Sequence, residues 1–140
     1  MSAKPENNFI SSVHRHLPAK LYRMKNHNVY NAGIADCWYS GVGGDLWVEY
    51  EFLVLPKRDS TIIDLVGGKD PALSRLQQAW LTDRHHEGRQ VGVVVGCKEG
   101  GVWFPGTTWK TTYTAEVLRA ALVSRQDIAK IITESTKGPA

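Results

Sequence analysis

The chain has 140 residues, a formal net charge of +3 at pH 7 and an apolar fraction of 42%. That length suits one domain with a real core, and the composition excludes a disordered or fibrous chain. The weak positive charge permits a nucleic-acid partner without requiring one.

Polar residues over Met1 to Asn8 and the lack of a long apolar run argue against a signal peptide and a bilayer span, so a reducing cytoplasm is the expected location. Cys37 and Cys97 fall in apolar stretches and read as reduced core thiols. The pairs His14/His16 and His85/His86 lack partners at zinc-ligand spacing.

In chain order, Pro5 suits a first helical turn, and Phe9, Val13 and Leu17 recur at four-residue spacing with Ile10 beside them, up to a stop at Pro18. Glu6 lies in the first turn, where the helix dipole favours a carboxylate, and that role alone would explain it. Residues 21–25 read as a short strand and 26–31 as a polar connection. Residues 33–52 read as two strands joined by a glycine-rich turn at Gly41 to Gly44. Residues 54–69 show no period and read as a long loop with a short strand over 61–66, a length often reserved for function. Asp70-Pro71 predicts a cap and first helical residue, with Leu73, Leu76, Trp80 and Leu81 as the buried stripe and Gly88 as the stop. Val91 to Cys97 predicts a strand buried on both faces. Glu99-Gly100-Gly101 turns the chain into Val102-Trp103-Phe104. Thr114 caps a helix with Val117, Leu118, Ala121 and Leu122. Ser124 and Asp127 start a last helix with Ile128, Ile131 and Ile132, before a loose tail over 135–140. The order predicts an α/β domain with a mixed sheet, its hairpin antiparallel and a later strand reached through a helix crossover.

The hairpin carries the strongest chemical signal. Pairing Trp38 with Trp47 and Asp36 with Glu49 puts Ile34, Asp36, Trp38, Trp47, Glu49 and Glu51 on one face. The other face, with Ala35, Cys37, Tyr39, Leu46, Val48, Tyr50 and Phe52, is apolar and suits a core. Opposed like charges destabilise a sheet, so three carboxylates bordered by tryptophans call for a divalent cation such as magnesium, or else for plain solvent exposure. Basic residues gather at Arg15, Lys20, Arg23 and Lys25, at Lys57 and Arg58, and at Arg84 and Arg89; a solvated surface explains each group about as well as a ligand does.

An acidic residue in the first helix (Glu6), then Gly33-Ile34-Ala35-Asp36, then Glu49-Tyr50-Glu51, then the helix with Leu73 to Leu81 and the valine strand, follow in an order that resembles the PD-(D/E)XK nuclease superfamily. The likeness is greatest to small phage-type endonucleases related to the VRR-NUC and Holliday junction resolvase branches, and it covers about residues 5–104. It implies a restriction-endonuclease-like αβββαβ core with a mixed sheet in a single domain over 1–140, extended by C-terminal helices over 114–134. It further implies that Asp36 is the central ligand of Mg²⁺ or Mn²⁺, Glu49 the second, the backbone carbonyl of Tyr50 a third, and Glu6 a ligand directly or through water. Gln77 matches a glutamine often near the site in this branch, with a surface-facing helix residue as the alternative.

Two departures stand out. Ala35 replaces the proline of the motif, which is harmless. Glu51 replaces the usual lysine, which orients the attacking water and stabilises charge on the phosphate. Glu51 could serve as general base or metal ligand while Lys25 or Lys57 supplies the positive charge. The implied activity is phosphodiester hydrolysis by a metal-dependent endonuclease, in phage replication or recombination, in which case the cytoplasm would be the host's. The alternative is an inactive DNA-binding protein on the same scaffold, and a third reading is a protein-binding surface at Trp103 and Trp109. Arg15, Arg23, Lys57 and Arg58 are the candidates to track a DNA backbone. The sequence has no helix-turn-helix, zinc finger or RNA-recognition motif, so DNA shape (a branch, flap or nick) is the expected target, and a homodimer would cut two strands symmetrically.

Overall fold

A computed structural model describes residues 3–26 and 33–138. The elements run α1 (Ala3–His14), β1 (Tyr22–Lys25), β2 (Cys37–Gly41), β3 (Gly44–Phe52), β4 (Ile62–Ile63), α2 (Arg75–His86), β5 (Gln90–Cys97) and β6 (Gly100–Pro105). A 3₁₀ turn at Thr108–Lys110, β7 (Tyr113–Thr114), α3 (Ala115–Ala121) and α4 (Arg125–Thr136) complete the chain. The main sheet has the order β1-β2-β3-β5-β6, while β4 and β7 form a separate pair. The β2–β3 register sets Trp38 against Trp47 and Gly41 against Gly44, as the alternation predicts. β3 and β5 pair in parallel, from Leu46 opposite Gln90 to Phe52 opposite Gly96, with α2 in the crossover. This is the mixed α/β sheet that the sequence predicts.

Both faces of the sheet are covered. On one, α1 and α4 bury Phe9, Ile10, Val13, Tyr39, Tyr50, Ile128 and Ile132. On the other, Leu81 of α2 and Leu118 of α3 join Leu65, Leu73, Val93, Phe104 and Trp109. Consecutive valines of β5 alternate between the two cores: Val94 belongs to the first, Val93 and Val95 to the second. A strand apolar at every position needs two apolar faces to bury it. The C-terminal helices therefore pack as core elements, and Trp109 is wholly buried.

Several expectations need correction. α1 ends at His14, and Leu17 packs from the following turn. α2 starts four residues later than Asp70-Pro71 suggests. Leu73 is wholly buried and donates its N–H to the Leu65 carbonyl, so it belongs to the loop's own packing. Ser74 then caps the helix through a reciprocal pair with Gln77, and from that start Leu76 faces solvent at 60% exposure while Gln77 and Leu81 turn inward. Ala35 packs in the second core, opposite Cys37, because strand alternation begins only at Cys37. Ser135 and Thr136 form the last turn of α4, not a tail. The Gly43 N–H donates to the Thr136 carbonyl at 2.9 Å, and a side chain at Gly41 or Gly43 would collide with the backbone at Thr136 or Lys137. The glycine-rich turn thus gives the end of α4 room to dock. Most of the polar connection over 26–31 lies outside the described residues.

Candidate active site

One end of the sheet gathers the acidic residues. β1 runs antiparallel to β2 and β2 to β3, so the end of β1, the start of β2 and the end of β3 meet at the same edge. The N-terminal half of α1 packs against β3 and brings Glu6 there. Asp36 immediately precedes β2. Its Oδ2 accepts the backbone N–H of Tyr50 at 2.9 Å, and its own N–H donates to Glu49 Oε1 at 3.2 Å.

Glu49 is 1% exposed, an extreme for a carboxylate, and it lies under α2 on the face of the second core. Its other oxygen, Oε2, accepts the Gln77 side-chain amide at 2.7 Å. The Gln77 amide oxygen meanwhile accepts the Ser74 N–H at 2.8 Å, so the cap of α2 fixes the rotamer that reaches Glu49. The Ser-x-x-Gln spacing is readable in the sequence as a capping box, and it would have placed this start of α2.

The four carboxyl groups interact in two pairs, Glu49 with Asp36 and Glu51 with Glu6. Burial and then the charge of Asp36 push Glu6 up to about 7. Burial and then the charge of Glu6 push Glu51 up to about 8. Burial also raises Asp36, against the restraining bond from Tyr50, and burial with the charges of Asp36 and Glu51 holds Glu49 well above the usual carboxylate range. Like charges this close cannot all ionise together without a counter-charge.

Lys25, the last residue of β1, is the cation brought to the cluster. Its charge favours ionisation of Glu6 and Asp36, and its ammonium donates to the Asn7 side-chain carbonyl. The sequence offered no signal for Asn7.

The structure does not bring the other basic candidates to the carboxylates. Arg23 spends its guanidinium on the carbonyls of Leu21, His14 and Pro18, tying the turn after α1 to β1. Arg15 is exposed beyond the other end of α1, nine residues or about 13 Å along the axis from Glu6. Lys57 and Arg58 are exposed in the loop after β3, and Lys57 lines a cleft there.

An all-oxygen, buried, self-repelling donor set suits a hard divalent cation. Among the described residues no three His, Cys, Asp or Glu side chains already enclose an ion-sized point. Glu49 has both oxygens engaged, Oε1 by the Asp36 N–H and Oε2 by Gln77, and Glu6 interacts with Glu51. Beside the cluster, Tyr22, Trp38, Trp47 and Trp80 form a continuous aromatic row, with Trp38 and Trp47 stacked at 5.7 Å.

This chain superposes on a Holliday junction resolvase of Archaeoglobus fulgidus, Hjc, from an archaeal hyperthermophile, with a TM-score of 0.55 at 12% identity over 92% of this chain and 95% of that one. The two chains share one fold, a restriction-endonuclease-like one. At such identity the likeness establishes the fold alone, and the residue roles rest on the geometry above. No protein-family profile and no curated protein sequence matches the chain. No helix among the described residues is long and apolar enough to cross a membrane.

Proposed function

We propose that this chain is a divalent-metal-dependent endonuclease that hydrolyses DNA phosphodiester bonds and selects its substrate by branched or interrupted structure. The observation that carries the reading is the meeting of Glu6, Asp36, Glu49 and Glu51, with Lys25 beside them, at one end of a resolvase-fold sheet. Asp36, Glu49, the Tyr50 carbonyl and Glu6 are the groups to hold Mg²⁺ or Mn²⁺. When bound, the metal would lower the pKa of a coordinated water and neutralise charge on the phosphate.

The chain's own residues supply the rest. Gln77 fixes the orientation of Glu49. Tyr50 N–H fixes Asp36. Lys25 stands where a cation can face the phosphate, and so takes over the charge that the motif lysine would have provided at Glu51. Glu51, able to hold a proton to about pH 8, is suited to take one from an attacking water or give one to a leaving oxygen. Lys25 in this position favours the active enzyme over an inactive binding protein. Two cuts across a junction would need two copies of the chain, so a homodimer is part of the proposal.

The test is cleavage of supercoiled, linear and four-way-junction DNA with Mg²⁺, Mn²⁺ or EDTA. Metal-dependent cutting, fastest on the junction and lost in both Asp36→Ala and Lys25→Ala, is expected. Binding of the junction without cutting in any metal would leave the inactive scaffold as the answer.

A further inference from the structure

The carboxylates occupy the β1–β2–β3 side of the sheet end. One strand further along the same end, beyond the C-termini of the parallel pair β3 and β5, two clefts of about 500 and 580 Å³ adjoin and share Phe52, Val54 and Lys98. The carboxyl ends of parallel strands are where open α/β sheets offer a crevice to ligands.

The walls are pinned by arginines. Arg119 holds Asp59 at 2.6 Å and the Pro56 carbonyl at 2.5 Å. Arg125 lies 4.8 Å over the Phe9 ring and donates to Ser12 Oγ and the Cys97 carbonyl. Three lysines are left to project: Lys4 from α1, Lys57 from the loop after β3, and Lys98 from the turn after β5. All three are exposed, and among the described residues none of them joins an ion pair. Among the described residues only one carboxylate, Glu99, lines either cleft. Between the lysines lies Val54, apolar yet 89% exposed. Lys4 and Asn8 line the groove from one face of α1, and Phe52, which both clefts share, follows Glu51 at the end of β3, so the groove and the acidic cluster lie at the same end of the sheet.

Cations spaced around an exposed apolar floor match a nucleic-acid strand, whose phosphates seek the cations and whose sugars and bases offer apolar contact. We propose that the joined clefts are the groove that carries one DNA arm to the carboxylates, with Lys4, Lys57 and Lys98 on successive phosphates and Val54 against a sugar or base. The inference rests on the nuclease reading above and names a path for its substrate; Lys4, Lys98 and Val54 were not among the residues singled out in the sequence.

The experiment is fluorescence anisotropy of a labelled four-way junction, titrated across a salt series with protein carrying Asp36→Ala to prevent cutting. In that background, Lys4→Ala and Lys98→Ala should each weaken binding and lower the log–log salt slope by about 1, the signature of one lost phosphate contact. Lys130→Ala, on α4 in a different cleft, should leave both unchanged. If the parent binds with a steep salt slope and the Lys4 and Lys98 variants bind identically to it, or if Lys130→Ala loses as much as they do, this groove is wrong and the nuclease reading survives. If the parent shows no salt-sensitive binding at all, that reading falls and the groove with it.

Discussion

Two polar clusters are buried against opposite faces of the same sheet, and they are built on opposite principles. Under α1, His14 Nε2 meets the Tyr39 hydroxyl at 2.7 Å, and that hydroxyl meets the Tyr50 hydroxyl at 2.7 Å. Every member has a partner and none need carry charge. Burial raises both tyrosines far out of their titration range and lowers His14 to about 4, where it is neutral at physiological pH. At the end of the sheet, by contrast, four carboxyls crowd together, and burial, with mutual charge at Glu6, Glu49 and Glu51, holds them above the ordinary carboxylate range. A satisfied buried network rigidifies a fold. A self-repelling one contributes nothing to stability that apolar residues would not, which is the mark of a site kept for chemistry. Tyr50 belongs to both, giving its side chain to one cluster and its N–H to the other, so the rigid network anchors the strand that carries the strained one.

The sharpest way to break this contrast is to remove one member from each. Asp36→Asn, which keeps an oxygen for the Tyr50 N–H, should lower the cleavage rate on the order of a thousandfold, the scale for losing a group that stabilises charge in the transition state, while metal-free thermal stability stays equal or rises. Tyr39→Phe should do the reverse. It leaves His14 and Tyr50 unpartnered, costing about 1–3 kcal/mol, with cleavage per folded molecule unchanged. Chemical denaturation and single-turnover cleavage on the same preparations separate the two. Loss of stability in the Asp36 variant, or loss of rate in the Tyr39 variant, would mean that the roles are exchanged. Added Mn²⁺ should then stabilise the wild type by about 2.7 kcal/mol at a hundredfold excess over its Kd, and Asp36→Asn by much less, read as a shift in melting temperature.

The two clusters were not equally legible in the sequence. Period-two alternation put Tyr39 and Tyr50 on the core face and Trp38, Trp47 and Glu49 on the other, and the β2–β3 register agrees. Alternation says which face a residue takes but not what covers that face. Glu49 therefore read as one of a row of carboxylates open to a metal or to water, whereas α2 buries it, and only the crossover supplies that cover. His14 reads in the sequence only as half of a histidine pair without zinc-ligand spacing, because its partner Tyr39 is twenty-five residues away and becomes its neighbour only when α1 packs on the sheet. Lys25 could be named as a substitute cation but not placed, since the register of a four-residue edge strand is set by its neighbour. α2 is capped by Ser74 and not by Asp70, because Asp70-Pro71 is a good local signal overruled by the burial of Leu73, a tertiary contact.

Gln77 offers a smaller and more specific test of how the strained cluster is held. Gln77→Ala removes the donor to Glu49 and half of the α2 cap. About 1 kcal/mol of stability should go with the cap, and a 10- to 100-fold loss of metal affinity with the support of a ligand. Gln77→Glu keeps an oxygen for the Ser74 N–H but sets another acid against Glu49. It should restore the stability and not the affinity, and recovery of both would show that Gln77 acts only as a cap.

The subtlest difference between the clusters is the sign of their pH dependence. Glu51 holds its proton to about 8 in the folded chain and to about 4.5 when unfolded. Its favourable contribution is therefore complete below pH 4.5 and is lost as pH rises through 8. His14 has the opposite linkage. Its folded value near 4 lies below the unfolded 6.5, so its contribution is present above pH 6.5 and is lost as pH falls through 4. Glu51→Gln should thus stabilise the metal-free protein at pH 8 and do little at pH 4. In the same samples, the His14 imidazole followed by NMR should stay neutral until the pH approaches 4. If Glu51→Gln were equally neutral at both pH values, the acidic cluster would be solvated rather than crowded, and its claim on a metal would lose its physical ground.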